Sequence, residues 1–326
     1  MESQTKNKKT RAELQAMAER AFPGLTLAAA EDAVTELKEG WFNVAYDLRL
    51  SDGRNVILKI APPRSAEVMT YERGIMTTEV NAMRLVATHP GIPVPQIYTF
   101  DTSLELCDAP YFFMEKLKGV NYEHVKQTLP PAEKAQIDRE IGQIIQAINT
   151  FEGSYFGYEG NPDLRASNWP EAFLQICTVL LADGQRKHAE LPVAYETVQS
   201  LIHAHASTLA EVSQPHLVHW DAWDSNFFVA DGHISGILDF ERAIWGDPLM
   251  EAQFRALAFG GVSESLRSYG KTTFTPAEDV RNHLYTLYLA LVMKIECYYR
   301  NYDTNEVANI SAAMLVSAAQ WLQEHR

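Results

Sequence analysis

Cysteine and basic residues are scarce in this chain. Its 326 residues include three cysteines, Cys107, Cys177 and Cys297, which lie far apart with no paired spacing. Such cysteines form neither a disulfide framework nor a zinc site, so we expect a reducing compartment, the cytoplasm. Lysine and arginine number 28 against 42 acidic residues, which gives a formal net charge of −14. Because nucleic-acid binders rely on basic surface, this balance argues against that class.

Long apolar stretches are missing as well. No uninterrupted hydrophobic run is long enough to cross a bilayer, so we expect no membrane association. The segment 1–11 is polar, carries Lys6, Lys8, Lys9 and Arg11, and lacks the apolar core of a signal peptide. The hydrophobic share is 46%, and a chain of this length can bury either one large core or two lobes around a cleft.

The sequence pattern changes near residue 118. Before it, a capping box at Thr10 and Glu13 opens a short helix, strands are predicted at 44–50, 56–60, 96–100 and 111–115, and a helix at 69–87. After it, a helical apolar stripe from Ile137 to Ile148 is introduced by Pro130-Pro131. Further helices are predicted at 171–181, 194–209, 276–300 and 304–325, around a β-hairpin of 227–229 and 234–238. We therefore predict an α+β fold with a small β-rich lobe, 1–118, and a larger, mainly helical lobe, 119–326.

Asp221, Asn226 and Asp239 are the most informative residues of the second lobe. Asn226 follows Asp221 by five residues, and Asp239 comes at the end of the predicted hairpin. Acids and amides in loops commonly cap backbone groups, so turn residues are the alternative interpretation. Phosphoryl transfer from a metal-bound nucleotide needs such a set: one carboxylate takes the proton of the attacking hydroxyl, while an amide oxygen and a second carboxylate hold Mg²⁺.

Residues 218–226, 236–241 and 246–248 have the sequences VHWDAWDSN, GILDFE and GDP. They resemble the motifs of the aminoglycoside phosphotransferase/choline kinase family, and the resemblance extends over about residues 35–260. That family has a two-lobed, protein-kinase-like fold and moves the γ-phosphate of ATP, or of GTP in some members, onto hydroxyls of small molecules. The resemblance implies that Asp221 is the catalytic base and that Asn226 and Asp239 are the Mg²⁺ ligands.

Lys59 is the expected phosphate-binding lysine of the first lobe. It is a lone charge in an apolar strand, which by itself is equally typical of the solvent face of an edge strand. Kinase-like folds need a strand lysine on the α- and β-phosphates, held by a glutamate from the following helix. Glu72 and Glu79 lie seven residues apart on that helix, and the family pattern favours Glu79. Ile57 shares the strand face of Lys59 and is expected to line the adenine.

The resemblance assigns the remaining nucleotide contacts to two segments. The end of the strand at 111–115 is implied to be the interlobe hinge, so we expect Met114, Glu115 and Leu117 at the edge of the base. Residues 39–46 lie where a phosphate-covering turn belongs. They contain a single glycine, so they form neither a P-loop nor a G-x-G-x-x-G motif. ATP is the expected donor, with GTP as an alternative.

Several residues around the motif have two interpretations. His219 is expected to brace the loop, and Asp247 to organise it; Glu241 is expected either to reach the metal or to pair with Arg242. Trp223 is either a core residue or part of an aromatic wall over a substrate ring or cation, and Trp220 raises the same question. The acids of this region also suit a cationic ligand, although exposed acids are common. These acids are Asp224, Glu241, Asp247 and Glu251.

The residues together predict an ATP-dependent, Mg²⁺-requiring O-phosphotransferase that acts on a small hydroxylated molecule. The acids of the second lobe would suit a cationic group on that molecule. The alternative is a nucleotide-binding pseudokinase that serves as a sensor or scaffold. A pseudokinase would lack a lysine, aspartate or asparagine of the set, and all are present here. The identity of the acceptor and the oligomeric state do not follow from the sequence.

Overall fold

An antiparallel sheet of five strands forms the first lobe of the computed structural model, which describes residues 6–38, 42–255, 257, 261–300, 302 and 305–325. The strands lie in the spatial order β1-β2-β3-β5-β4. Their bounds are β1 (Val34–Leu37), β2 (Val44–Arg49), β3 (Asn55–Ile60), β4 (Ile97–Asp101) and β5 (Tyr111–Glu115). Lys59 of β3 pairs with Ala45 on one side and with Phe112 on the other. The lysine therefore belongs to the central strand of the sheet.

One face of this sheet is covered by helix α1 (Arg11–Ala21). The side chains of Val44, Tyr46 and Leu48 alternate along β2 and pack into a core with Leu14 and Met17 of the helix. The predicted capping box at the start of the helix is confirmed, because the side chains of its two residues each accept a backbone N–H of the other. Strand β1 is absent from the sequence prediction, since its short run is only half-buried and has no apolar alternation.

Helix α2 (Ile75–Val86) is shorter than the predicted helix 69–87, so the predicted start is wrong. Thr70–Glu72 form a 3₁₀ turn, and Gly74 adopts a φ of 72°. A Cβ at Gly74 would lie 2.3 Å from the carbonyl oxygen of Gly160, so the close crossing of the two backbones requires glycine there. The apolar residues before Gly74 belong to the core of the second lobe instead of continuing the helix.

Helices dominate the second lobe, as the sequence predicts. They are α3 (Tyr122–Val125), α4 (Pro131–Ile148), α5 (Trp169–Arg186), α6 (Tyr195–Ala204), α7 (Ala252–Arg255), α8 (Glu264–Tyr269), α9 (Pro276–Arg300) and α10 (Glu306–Glu324). The predicted helix 194–209 breaks after α6 into a 3₁₀ turn, Ala206–Glu211. Among the helices of the described ranges, none has both the length and the apolar composition that a membrane-spanning helix needs. The fold class is therefore α+β, with a sheet-rich first lobe and a mainly helical second lobe.

Two small sheets lie between these helices. The first has the order β11-β10-β6 and the second β8-β7-β12-β9. Their strands are β6 (Val120–Asn121), β7 (Phe156–Gly157), β8 (Arg165–Ala166), β9 (His216–Val218), β10 (Phe227–Ala230), β11 (His233–Ile237) and β12 (Ile244–Gly246). Gly119, at a φ of 93°, crosses β10 so closely that a Cβ would lie 2.0 Å from the carbonyl oxygen of Val229. Gly119 directly follows residue 118, where the sequence predicts the boundary between the lobes. That boundary stays a prediction.

The loop between β3 and α2 is anchored in the second lobe. Thr70 donates its hydroxyl to Asp183 of α5 at 2.7 Å, and Glu72 forms a buried ion pair with Arg300 at the end of α9. Tyr71 packs between them against the aromatic core of that lobe. We call residues 61–74 the anchored loop. Because α2 follows directly, the anchored loop holds the start of this helix against the second lobe.

The ion pair of the anchored loop predicts a large loss of stability on substitution. Glu72→Ala leaves Arg300 with only its longer pair to Glu296, at 3.6 Å, and leaves the N–H of Met69 without its acceptor, so the free energy of unfolding in urea should fall by about 3 kcal/mol. Glu67→Ala is the matched control on the same loop, because its ion pair with Lys187 is exposed to solvent and its loss should change the stability little. Equal losses in the two variants would contradict the anchoring.

Candidate active site

Lys59 lies at the centre of a cluster of carboxylates. The nearest oxygens to its Nζ are Asp239 Oδ1 at 2.7 Å, Glu79 Oε1 at 2.8 Å and Glu241 Oε2 at 3.4 Å. Only 13% of the lysine side chain is exposed, so it does not face solvent from an edge strand. Burial opposes the charge of Lys59, but these acids raise its pKa well above the ordinary value.

The lysine pairs with Glu79 and not with Glu72. Glu79 lies on the second turn of α2, whereas the carboxylate of Glu72 turns away to Arg300. The choice left between the two by the sequence is thus settled by where α2 begins. Burial raises the pKa of Glu79 to about 8 and that of Glu241 to about 7, with Lys59 opposing both shifts. Three acids around one lysine leave this cluster short of positive charge.

The acids around Lys59 include the donors that Mg²⁺ takes. Ligand oxygens of Glu79, Asp239 and Glu241 all lie within 4.8 Å of one another, and Glu79 Oε2 is buried without a hydrogen-bond partner. Asn226 donates through Nδ2 to the carbonyl of Asp221 at 2.7 Å, which leaves its side-chain oxygen as the atom for a metal. Hard cations bind carboxylate and amide oxygens, so the residues present fit a magnesium site.

Asp239 and Trp220 both have a left-handed backbone. Their φ angles are 68° and 66°, a region that non-glycine residues rarely adopt and that costs energy. His219, the residue before Trp220, links the two segments. Its Nδ1 accepts from the N–H of Asp221 at 3.3 Å, and its Nε2 lies 2.9 Å from the carbonyl of Leu238. Burial lowers the pKa of His219, which favours the neutral ring that these two bonds require. His219 therefore braces the loop of Asp221 against the segment of Asp239.

Asp221 keeps its carboxylate partly accessible. About a fifth of its side chain is exposed (21%), and its Oδ2 lies 4.0 Å from the Nε of Arg242. Arg242 in turn donates to Glu296 of α9 at 3.0 Å and lies over the ring of Trp220. Burial raises the pKa of Asp221, and the Arg242 charge opposes that shift. Glu241 contacts Lys59 and Asn43 instead. Glu241 and Arg242 are adjacent in one turn, and they therefore have different partners.

Glu251 is a structural residue of the site that the sequence suggests only as a possible cation ligand. It is fully buried and accepts from the backbone N–H groups of His219 at 2.9 Å and Trp220 at 3.1 Å. Asn149 of α4 donates to the same carboxylate at 2.8 Å. Glu251 therefore fixes the strained backbone before Asp221, and its carboxylate binds N–H donors of the protein instead of facing a ligand from solvent. An acid after a loop motif is visible in the sequence, but its burial and its partners are not.

Asp247 lies away from the acid cluster of Lys59. Its carboxylate accepts from Arg281 at 2.9 Å and from Tyr285 at 2.7 Å, both on α9, and it caps the following turn at Leu249. Asp224 pairs with Lys126 at 2.6 Å. Neither acid is presented as an unpaired charge to the cleft.

Trp220 and Trp223 differ in their surroundings. Trp220 is buried (2% exposed) and stacks on Tyr288 with ring centroids 5.3 Å apart, so the aromatic-wall hypothesis is wrong for this residue. Trp223 is only partly buried at the edge of the same core, two residues after Asp221. It remains the candidate aromatic contact for an acceptor.

The predicted base-binding residues meet at the end of the sheet. Ile57 of β3 pairs with Met114 of β5, and both side chains are buried. The N–H of Glu115 donates to the carbonyl of Gln96 at 2.9 Å, so any contact of Glu115 with a base is through its carbonyl. Leu117 lies against Gly236, where a Cβ would approach its side chain to 2.4 Å. The small residue leaves space for this leucine beside β11.

The predicted phosphate-covering turn is described only from Phe42 onward, and its residues 39–41, with Gly40 and Trp41, lie outside the described residues. Asn43 is buried and donates to Glu241 Oε2 at 2.6 Å. This contact links the turn before β2 to the acid cluster, on the side of Lys59.

The burial of Glu251 predicts a pH-dependent stability. Its folded pKa of about 7 exceeds the ordinary 4.5, so its stabilising contribution is complete below pH 4.5 and is lost as the pH rises to 7. Glu251→Gln should remove this loss, which is up to about 3 kcal/mol. Urea unfolding between pH 4.5 and 8 measures it, with the exposed Glu190→Gln as control. Parallel curves for the wild type and Glu251→Gln would refute the assignment.

Solved structures with the same fold cover nearly the whole chain. A candidate fructosamine-3-kinase from Thermobifida fusca matches 95% of this chain and 98% of its own, with 20% identity and a TM-score of 0.66. A thermostable mutant of the aminoglycoside phosphotransferase APH(4)-Ia matches 96% and 99%, with 18% identity and a TM-score of 0.66. The streptomycin–ATP complex of APH(2″)-IIa matches 97% of both chains, with 16% identity and a TM-score of 0.58. At these identities the similarity shows the fold.

Sequence similarity adds a shorter match and a longer one. A subtelomeric hrmA-associated cluster protein of Aspergillus fumigatus is 26% identical over 125 residues, which are 38% of this chain and 24% of that protein. The chain thus spans about a quarter of the length of the curated relatives it matches. The profile of the phosphotransferase enzyme family covers residues 33–269, well over half of the chain and all of the acid cluster around Lys59. The chain belongs to the phosphotransferase enzyme family.

Proposed function

We propose that this protein is an ATP-dependent, Mg²⁺-requiring O-phosphotransferase for a small hydroxylated molecule. The observation that carries the proposal is the position of Lys59 between Glu79 and Asp239, with Asp221 and Asn226 on the adjoining loop. This is the set of charges that phosphoryl transfer from a nucleotide needs. Membership of the phosphotransferase family supports the reaction class.

Asp221 is the proposed catalytic base. The acceptor hydroxyl oxygen bonds to the γ-phosphorus while the bond from that phosphorus to the β–γ bridging oxygen breaks, and the hydroxyl proton passes to Asp221. ADP leaves with the electron pair of the broken bond. The accessible carboxylate and the raised pKa of Asp221 suit a proton acceptor, and Arg242 holds it in place from 4.0 Å.

Lys59 and Glu79 are proposed to position the α- and β-phosphates, as the strand lysine and helix glutamate of a kinase-like site do. Asp239 and Asn226 are the proposed Mg²⁺ ligands, with Glu241 as a further acid of the same cluster. A bound magnesium ion would neutralise charge on the phosphate oxygens. The cluster contains three carboxylates and one lysine, and this excess of acids supports the binding of further cations.

The base of the nucleotide is proposed to lie at the end of the first sheet. Ile57 and Met114 supply an apolar surface, and the backbone of Glu115 and Leu117 supplies the polar edge. Backbone contacts of this kind accept adenine, and guanine remains an alternative base. The relative bound to streptomycin and ATP shares the fold and supports ATP as the donor. A cytoplasmic location would agree with this donor.

The acceptor is proposed to be a small hydroxylated molecule, the class that the relatives named for aminoglycosides and fructosamine share. A cationic group on it is less favoured than the sequence suggests. Glu251 and Asp247 are buried and committed to other residues, and Asp224 is paired with Lys126. Asp221 is thus the acid best placed to meet the acceptor.

Asp221→Asn tests the proposed base. The amide cannot take the proton, so turnover should fall by about 10²–10⁴-fold while the Kd for Mg²⁺-ATP changes little. Turnover is measured with the acceptor found in a screen of amino alcohols, sugars, nucleosides and antibiotics. Asp224→Asn, three residues along the same loop, is the control and should stay within about threefold of the wild type. Retained turnover in Asp221→Asn would refute the base. A wild type that binds Mg²⁺-ATP but phosphorylates nothing would favour the pseudokinase.

Trp223→Ala tests the acceptor contact. Loss of the ring should raise the acceptor KM by about tenfold and leave the ATP KM within about twofold, because Trp223 follows Asp221 by two residues and packs at the edge of the second-lobe core, whereas Lys59 belongs to the sheet of the first lobe. Trp223→Phe keeps an aromatic ring, so its acceptor KM should lie close to the wild-type value. Equal changes in both KM values would assign Trp223 to the core.

A further inference from the structure

The phosphate-covering turn is poor in the groups that usually bind phosphate. Residues 39–46 contain one glycine, so their sequence lacks the pattern of a glycine-rich loop that binds phosphate through its backbone N–H groups. The side chain of Asn43, which lies in this turn, is committed to Glu241. Next to it, Glu79, Asp239 and Glu241 surround a single lysine. A triphosphate that enters here needs positive charge from elsewhere in the chain.

The segment before α1 supplies a basic side chain to this place. We call residues 6–10 the N-terminal strap. Asn7 donates to Asp108 at 3.0 Å and to the carbonyl of Ala61 at 3.3 Å, and the N–H of Lys9 donates to the hydroxyl of Tyr46 at 2.9 Å. These bonds fasten the strap to strand β2 and to the loops at the end of the first sheet. Its course is fixed by contacts that span about 40 to 100 residues of sequence.

Lys6 lies where the strap reaches the covering turn. Its Nζ donates to the carbonyl of Asn43 at 2.7 Å, and Asn43 in turn donates to Glu241, which contacts Lys59. Burial lowers the pKa of Lys6; the charge of Glu36 opposes this shift, and the charge of Lys59 adds to it. Lys8, two residues on, pairs with Glu36 of β1 and is half-exposed. Both lysines thus lie near Glu36, and the contact with the carbonyl of Asn43 is made by Lys6.

We propose that Lys6 is a second phosphate-binding cation of the nucleotide site, which contacts the terminal phosphates of the donor from the covering turn. It replaces part of the positive potential that a glycine-rich loop would provide. The inference rests on the proposed function, because it adds a residue to the same nucleotide site. A lysine suits this role, since its ammonium group has three donors and can keep the bond to Asn43 while it binds phosphate oxygens.

Calorimetric binding of Mg²⁺-ATP and of adenosine tests the role of Lys6. Lys6→Gln keeps a donor for the Asn43 carbonyl and removes the charge. It should weaken Mg²⁺-ATP by about tenfold, the effect of one charge-assisted hydrogen bond, and leave adenosine binding unchanged. Lys6→Arg should restore most of the affinity. Lys8→Gln removes the same charge from the same strap and should bind both ligands as the wild type does.

Each other outcome overturns the inference in a recognisable way. If Lys6→Gln binds Mg²⁺-ATP as tightly as the wild type, the lysine does not contact phosphate, and the proposed function stands. If Mg²⁺-ATP and adenosine weaken equally, Lys6 holds the strap and has no phosphate role, which a lower melting temperature of this variant would accompany. If the wild type binds no Mg²⁺-ATP at all, both the proposed function and the role of Lys6 are wrong.

Discussion

The buried ammonium group of Lys59 is the interaction on which the cleft depends. It draws acids from helix α2 and from the segment after β11 to within 3.4 Å of one atom of the central strand. Carboxylates this close repel one another where water is largely excluded, so the lysine charge is what allows them to share one place. The sheet, the helix and the hairpin end are thereby held together by a group that the proposed reaction also uses. Stability and the proposed nucleotide binding thus depend on the same charges.

A second chain of alternating charges begins at the loop of Asp221. It leads from Asp221 to Arg242, then to Glu296 and Arg300 of α9, and ends at Glu72 of the anchored loop. The turn Phe240–Arg242 belongs to both systems, since its acid turns to Lys59 and its arginine to Asp221. Two adjacent side chains of opposite charge thus divide the proposed phosphate side of the cleft from the acceptor side. A change at this turn acts on both halves of the proposed reaction.

Local patterns were enough to predict the groups that lie on one strand, loop or hairpin. Lys59 and the spacing of Asp221 and Asn226 are of this kind, because a short stretch of backbone determines where each side chain points. The start of α2 could not be predicted, since the crossing of Gly74 with Gly160 is a contact between distant segments. Glu251 and Arg300 were equally hidden. In the sequence each is one more charge, and only the folded chain shows the partners that bury it.

The anchored loop adds a non-covalent connection between the two lobes. Residues 61–74 contact α5 and the end of α9, in addition to the covalent connection at Gly119 and to the contacts of Lys59 and Asn43 with Asp239 and Glu241. Connections at separate places restrict rotation more than a single one does, because each additional point of attachment removes a direction of turning. The anchored loop therefore limits how far the sheet can rotate against the helices, and it does so at the start of helix α2.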